Sequence, residues 1–340
     1  MTTKAKAAEA DRAAIAFHIA LTRIGLGTIE EAMALWTDVN PAKIAPTSGR
    51  WLDRAVILVM SRRQWSRDLA FAYYRLVRAL RTGATIKDPY HPNEPHPTLT
   101  GLRREFATAV DEVARVSGPA TGVPDSTPPV AVPDENDRLL VEELKQLREE
   151  EVRLEKAAEE EARIALEALG PANLESRLKD LDPEMSAREM DAAREAAHLE
   201  AGVRQAAAAE RIVMDGGRGA LWSYADQDER AIGYVRVSRT GTPCGFCAML
   251  ISRGVIFYKS KATAGFRSDG DLYHDKCHCY AEPVFSTQQY AQSDLFALNR
   301  QYTAEWKTEI KDNGLTGKDA LNAWRRYINR QQGRTFNTKD

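Results

Sequence analysis

The sequence lacks the features that mark a membrane or secreted protein. Its 340 residues contain no apolar run of 18 or more, so no membrane span is expected. The first residues are rich in Ala, Lys and acidic side chains, so no secretory signal is expected. Cysteine is scarce, at four residues, and a chain of this length does not need disulfides for stability. These absences favour a protein made in a reducing cytoplasm.

Charge is present in both signs but is unevenly distributed along the chain. The net charge is −2, yet residues 116–232 carry 14 Lys/Arg against 27 Asp/Glu. The regions on both sides have a basic excess. A basic surface suits nucleic acid or an acidic partner protein, and an excess of this size does not decide between them.

Apolar residues recur at helical spacing through much of the chain, so the sequence predicts a mostly α fold with long helices. A first helix over 8–37 is expected to break at Gly25, with Thr28 capping a second segment. A loop over 40–49 should lead into a long helix over 50–82. Arginines decorate this long helix, and we expect a solvated basic face with the aromatic side chains in the core. A nucleic-acid surface is the alternative.

The middle of the chain begins with a segment rich in Pro, Gly, Ser and Thr at 117–136, which predicts a linker and a domain boundary. The helix predicted over 137–169 has a narrow apolar stripe among many glutamates. This pattern is typical of a coiled coil or of a helix that lies on a partner, and a solvated single helix fits it equally well. An Ala-rich helix from 186 is expected to stop at 215–219, where the sequence reads DGGRG.

All four cysteines lie in one stretch of 36 residues. Cys244 and Cys247 have the C-x2-C spacing that lets two thiolates reach one metal ion from a tight turn. Thiolate and imidazole ligands in tetrahedral number suit Zn²⁺. We therefore predict a structural zinc site of Cys244, Cys247 and Cys277, with either Cys279 or His274 as the fourth ligand. Two disulfides and reduced thiols without a metal are the alternatives.

The residues around the cysteines alternate like strands, so a small zinc-clipped α+β unit is expected near the C-terminus. The whole chain is then predicted to have five parts. These are an N-terminal helical domain at 1–116, the linker at 117–136, charged and Ala-rich long helices at 137–229, the zinc-clipped unit at 230–286 and a helical tail at 287–340.

The cysteine region resembles the MuF-like domain of the minor head proteins of tailed phages. The resemblance follows a strand with Arg236 and Arg239, a T-x-C-x-x-C turn from Thr242, and a His-x-x-Cys-x-Cys element from His274. It implies a non-enzymatic minor capsid protein inside the phage head, made in the host cytoplasm and associated with the portal. The implied partners are the portal protein, other head proteins and packaged double-stranded DNA. The implied roles are head assembly, DNA packaging or DNA ejection.

Two other functions compete with this expectation. A zinc-stabilised nuclease would need a second, metal-activating group of side chains, to which His274, Asp275 and His278 could contribute. A DNA-binding protein would use the basic residues of the zinc unit to contact phosphates, although a solvated basic surface explains them too. These residues are Arg236, Arg239, Arg253, Lys259, Lys261 and Arg267.

Overall fold

The computed structural model of the protein describes residues 3–91, 94–117, 138–145, 147–238, 240–257 and 279–333. These residues are mostly helical, as the sequence predicts. Three long helices pack against one another at the centre: α1 (Thr3–Trp36), α2 (Ile44–Thr82) and α6 (Ala187–Gln227). Around them lie β1 (Ala84–Ile86), α3 (Leu99–Ser117), β2 (Leu140–Glu142), α4 (Leu147–Leu169) and α5 (Pro171–Lys179).

Helix α1 runs without interruption through the glycines at which the sequence predicts a break. Gly25 lies at the contact between α1 and α6. A Cβ at this position would come within 2.9 Å of the Met214 sulfur. The Thr28 hydroxyl donates to the Ile24 carbonyl at 2.7 Å inside the helix and caps no second segment. The predicted break is wrong because packing on α6 outweighs the weak helix propensity of glycine.

Helix α1 is also long and apolar enough, by length and composition alone, to cross a membrane. However, 72% of its most apolar window is buried inside the protein. Phe17, Leu21 and Ile24 are fully buried at helical spacing and pack in the large core. Burial against α2 and α6 therefore accounts for the apolar character of this helix.

Helix α2 begins at Ile44, within the segment predicted as a loop. Pro46 lies in its first turn, where a missing N–H removes no helical hydrogen bond. The helix ends at Thr82 and is capped by Gly83, which has a left-handed φ of 75° and donates its N–H to the Ala79 carbonyl at 2.9 Å. The aromatic side chains of this helix, Tyr73 among them, lie in the core as predicted.

The arginines of α2 are not all solvated, which corrects the prediction of a basic face. Arg75 and Arg78 are each about 1% exposed. Arg78 donates from Nε to Oδ2 of Asp228 at 2.6 Å, and Arg75 donates to Glu94 at 2.7 Å and Glu105 at 2.9 Å. Carboxylates from other parts of the chain thus balance the positive charge of the buried guanidinium groups. Periodicity within α2 cannot reveal partners that are distant in sequence.

Helix α6 continues through the glycines predicted to end it. It starts at a capping box in which the Ser186 side chain accepts the Glu189 N–H, and it ends only at Gln227. Gly216 and Gly217 face α2, where a Cβ on Gly217 would come within 2.6 Å of the Ser66 carbonyl oxygen. The glycines permit a close helix–helix contact, which explains why they do not end the helix.

Helix α4 begins about ten residues later than the sequence predicts, because Leu140–Glu142 forms strand β2, which pairs in parallel with β1. Its buried residues, including Ala162 and Leu166, pack in the large core. The helix contacts α2 and α6. Within the described residues its apolar stripe therefore serves packing inside this chain rather than a coiled coil.

The predicted small α+β unit is present after residue 230. Three antiparallel strands have the order β4-β3-β5, with β5 paired to β3 along its whole length. The chain closes with a helical region, as the sequence predicts, whose ninth helix continues into a π-helical turn at 307–311. These elements are β3 (Gly233–Ser238), α7 (Gly245–Ser252), β4 (Ile256–Phe257), β5 (Cys279–Val284), α8 (Thr287–Gln292), α9 (Ala297–Trp306) and α10 (Gly317–Gln331).

The large core joins parts that the sequence divides into separate domains. Buried side chains of α1, α2 and α3 share it with those of α4, α6, β3 and β5. A second, smaller core lies among α7, α9 and α10 and includes Trp324. The predicted linker falls almost entirely outside the described residues, so the five-part division stays a prediction.

Candidate metal centre

The C-x2-C pair lies in the turn that starts helix α7. Cys244 has an extended backbone and forms the N-cap, and its sulfur accepts the Cys247 N–H at an N···S distance of 3.4 Å. Cys244 is half-buried and Cys247 is buried. An N–H group directed at sulfur stabilises a thiolate, which is the form that binds a metal ion. The local geometry of this pair therefore suits two metal ligands.

Cys279 lies on a different element but borders the same small core. It is the first residue of β5, opposite Ser238 at the end of β3, and is 2% exposed. Cys244, Cys247 and Cys279 all pack with the side chains of α7 and α10 in this core. No disulfide joins these three cysteines to one another. The small core therefore includes cysteines that are 35 positions apart in sequence.

Helix α10 and the residue after it contact the turn that contains Cys244 and Cys247. The Gln332 side chain, just after this helix, donates to the Pro243 carbonyl at 2.9 Å, one residue before Cys244. A Cβ on Gly245 would come within 3.0 Å of Cγ of Arg325, so the turn lies close to the helix. Trp324 of α10 packs in the small core, where its ring centroid lies 5.1 Å from that of Trp306. The position of the C-x2-C pair is thus set by tertiary contacts as well as by the turn.

The described donors do not form a complete metal site. Cys277 and His274 lie outside the described residues, and among the residues that are described no group of three or more His, Cys, Asp and Glu is placed to hold a metal ion. The geometry of Cys244 and Cys247 suits zinc, whereas Cys279 does not form a group of three metal donors with them. The zinc site stays a prediction.

Of the six residues predicted to contact DNA, two lie among the described residues, Arg236 and Arg253. Arg236 is 4% exposed, and its backbone carbonyl accepts a hydrogen bond from the Asn299 side chain at 2.8 Å. A buried guanidinium is not available to phosphates, so Arg236 is removed from the candidate DNA surface. Arg253 is half-buried after α7. The other candidates, Arg239, Lys259, Lys261 and Arg267, lie outside the described residues.

The structure also shows a buried carboxyl group that sequence patterns did not identify. Glu282 of β5 is 1% exposed, and its Oε1 accepts a hydrogen bond from the Tyr73 hydroxyl at 2.7 Å. Burial raises the pKa of Glu282 to about 8, against the lowering effects of this hydrogen bond and of Arg81. The partners are 209 residues apart, so no local signal could have linked them.

Comparison with known proteins gives a family match that includes the cysteine region. Residues 160–305 match the VG15 protein family. The matched region runs from within α4 to α9 and contains all four cysteines, but it covers less than half of the chain. VG15 is a phage-type family, and the match is consistent with a phage protein. No curated protein and no solved structure matches the chain.

Proposed function

We propose that this protein is a structural minor capsid protein of a tailed phage, located inside the head and associated with the portal. The observation that carries the proposal is the VG15 match over 160–305, because it contains the cysteine unit that resembles the MuF-like domain. The long helices before that unit also fit such a protein. In this role the chain assists head assembly, DNA packaging or DNA ejection and has no catalytic turnover.

Zinc would have a structural role in this protein. Cys244 and Cys247 would bind it from the start of α7, and Cys277 with Cys279 or His274 would complete a tetrahedral site. A site closed by four protein ligands has no open position for an activated water, which supports a stabilising rather than a catalytic metal ion. The ion would tie the 258–278 segment to the small core beneath α7.

We assign portal binding to the helical part of the chain, and the outer face of α4 is the candidate surface. Its apolar side packs in the core, whereas Glu160 and Glu167 are exposed on the outer side, together with the exposed Lys156 and Arg163. Exposed glutamates on this surface favour contact with a basic patch on a partner.

Two measurements test the proposal. Mass spectrometry of purified virions should detect the chain in few copies, and sedimentation of the purified chain mixed with portal protein should give a complex. Replacing Glu160 and Glu167 with Lys should weaken that complex, while the same change at Asp191 and Glu195, exposed on α6, should not. Absence of the chain from virions, or metal-dependent DNA cleavage that is lost in His274→Ala, would instead support the nuclease.

A further inference from the structure

Helix α10 has two sharply different faces. Ala320, Trp324 and Ile328 are buried at helical spacing and pack on the small core. The opposite side carries a row of exposed basic side chains. With 100° of rotation per residue, they lie between about 100° and 160° from Trp324 around the helix, on both flanks of its outer side. They are Lys318, Arg325, Arg326 and Arg330, and we call them the α10 basic face.

The cations of the α10 basic face have no carboxylate partner among the described residues, unlike those of the large core. Arg75 and Arg78 are held there by two or more carboxylates each. Only Asp319 contributes a negative charge within α10, so the helix has four cations against one carboxylate. Exposed arginines that pair with no carboxylate in the described part of their own chain are available to an external anion.

We propose that the α10 basic face binds the phosphate backbone of double-stranded DNA without sequence preference. From Lys318 to Arg330 the helix extends about 18 Å, a length that spans several phosphates along a duplex. Arginine presents a planar fork of donors that matches phosphate oxygens. Asn322 and Asn329 lie on the same side and add amide donors. The inference rests on this surface and does not require the head-protein proposal.

Phosphates fit this surface better than an acidic protein does. The cations extend over about 18 Å of the helix and across about 140° of its circumference, and a duplex backbone presents closely spaced charges to a surface of this size. The α10 basic face includes no aromatic anchor of the kind that dominates protein–protein interfaces. The other candidate partner is a second copy of this chain, which would contact the α10 basic face through acidic side chains. Binding to duplex DNA and self-association are measured separately.

The test measures binding of the full chain to a labelled, random-sequence DNA duplex of about 30 base pairs by fluorescence anisotropy. Four neutralised phosphates predict a loss of about a hundredfold in affinity between about 50 and 200 mM salt. Reversing Arg326 and Arg330 to Glu should weaken binding by at least about tenfold and reduce the salt slope by about two. Arg325 is left unchanged because its side-chain stem packs beside Gly245.

The matched control reverses Arg12 and Arg50 to Glu. These residues lie on α1 and α2, away from α10, and give the same change in net charge. Binding by this control should stay within about twofold of the original chain. The proposal is overturned if the unaltered chain does not bind, if both double variants lose affinity equally, or if R326E/R330E binds normally. It is also overturned if the α10 reversal abolishes only a salt-sensitive self-association seen by sedimentation.

Discussion

At the scale of single residues, the carboxyl group of Glu282 lies between the small sheet and the long helices. Tyr73 of α2 donates to it, Arg81 and Asp11 are its charged neighbours, and Tyr280 lies on the same strand. The His18 ring of α1 stacks on Tyr280 at 4.0 Å. Because burial raises the pKa of Glu282 to about 8, the group is protonated in the folded protein near neutral pH.

This burial predicts that the free energy of unfolding decreases as pH rises from about 4.5 to about 8. Below that window the carboxyl is protonated in both states, whereas inside it only the unfolded chain releases the proton. The expected contribution is about 3 kcal/mol between pH 5 and pH 8. Glu282→Gln should flatten this dependence, because the amide does not ionise and its oxygen still accepts the Tyr73 hydroxyl.

Urea unfolding at several pH values provides the measurement, and Glu167→Gln is the control. Glu167→Gln makes the same carboxyl-to-amide change at an exposed position of α4, outside the core. If Glu282→Gln and the original chain lose stability in parallel over this window, another group is responsible.

A second prediction at residue scale concerns zinc. Metal analysis of the purified chain should give about one Zn²⁺ per chain, and Cys244→Ser should remove it. Serine at this N-cap can still accept the Cys247 N–H, so α7 keeps its start while the thiolate ligand is lost. Loss of the metal should also destabilise residues 230–286 selectively, measured by hydrogen exchange, because binding there is coupled to folding.

Comparison of Cys279→Ser with His274→Ala then identifies the fourth ligand. The variant that loses zinc contains the ligand, whereas the other should keep about one ion per chain. Stoichiometric zinc in both Cys244→Ser and Cys277→Ser would contradict the site altogether.

At the scale of elements, the contact between α2 and α6 depends on glycine. The Ser66 hydroxyl donates to the Val213 carbonyl at 2.6 Å, and Gly216 and Gly217 lie against the same stretch of α2. The two helix backbones therefore approach more closely than larger side chains would permit. This contact lies in the centre of the three-helix core, so its loss affects the whole helical part.

Gly217→Ala should lower the free energy of unfolding by about 1–3 kcal/mol, because its Cβ would overlap the Ser66 carbonyl oxygen. Gly219→Ala is a matched control two residues away in the same helix. A Cβ there has nothing within 4 Å, so alanine should stabilise the protein by about 0.5–1 kcal/mol. Chemical unfolding followed by tryptophan fluorescence measures both, and equal stabilisation by the two variants would exclude the close contact.

At the scale of the whole molecule, the shared core changes what cleavage at the predicted linker should do. Limited proteolysis is expected to cut first within 117–136, where the sequence is rich in Pro, Gly, Ser and Thr. The two fragments should nevertheless elute together on gel filtration, because α1, α2 and α3 share one core with α4 and α6. They should separate only in denaturant. A first cut within 230–286, or fragments that separate in native buffer, would contradict this arrangement.

The sequence by itself determined the features that depend on neighbouring residues. The helix start at 186 and the tight turn from Cys244 to Cys247 were predicted from sequence, and in the structure each involves partners three positions apart, so local spacing was sufficient. The strands on both sides of the cysteines follow from alternation, and the mostly α fold follows from periodicity. The clustering of all four cysteines in 36 residues is likewise visible in the sequence alone, and it marks the candidate metal centre.

Only the tertiary structure decided which polar residues are paired or neutral and which glycines lie in helix contacts. Arg78 meets Asp228 across 150 positions and Tyr73 meets Glu282 across 209, so a basic helix becomes a buried ion network and a strand glutamate becomes a neutral acid. Gly217 acts as a helix contact instead of a stop for the same reason. Desolvation and close packing by residues distant in sequence determine the charge state of Glu282, the pairing of Arg78 and the packing of Gly217. Local sequence patterns contain no information on those distant residues.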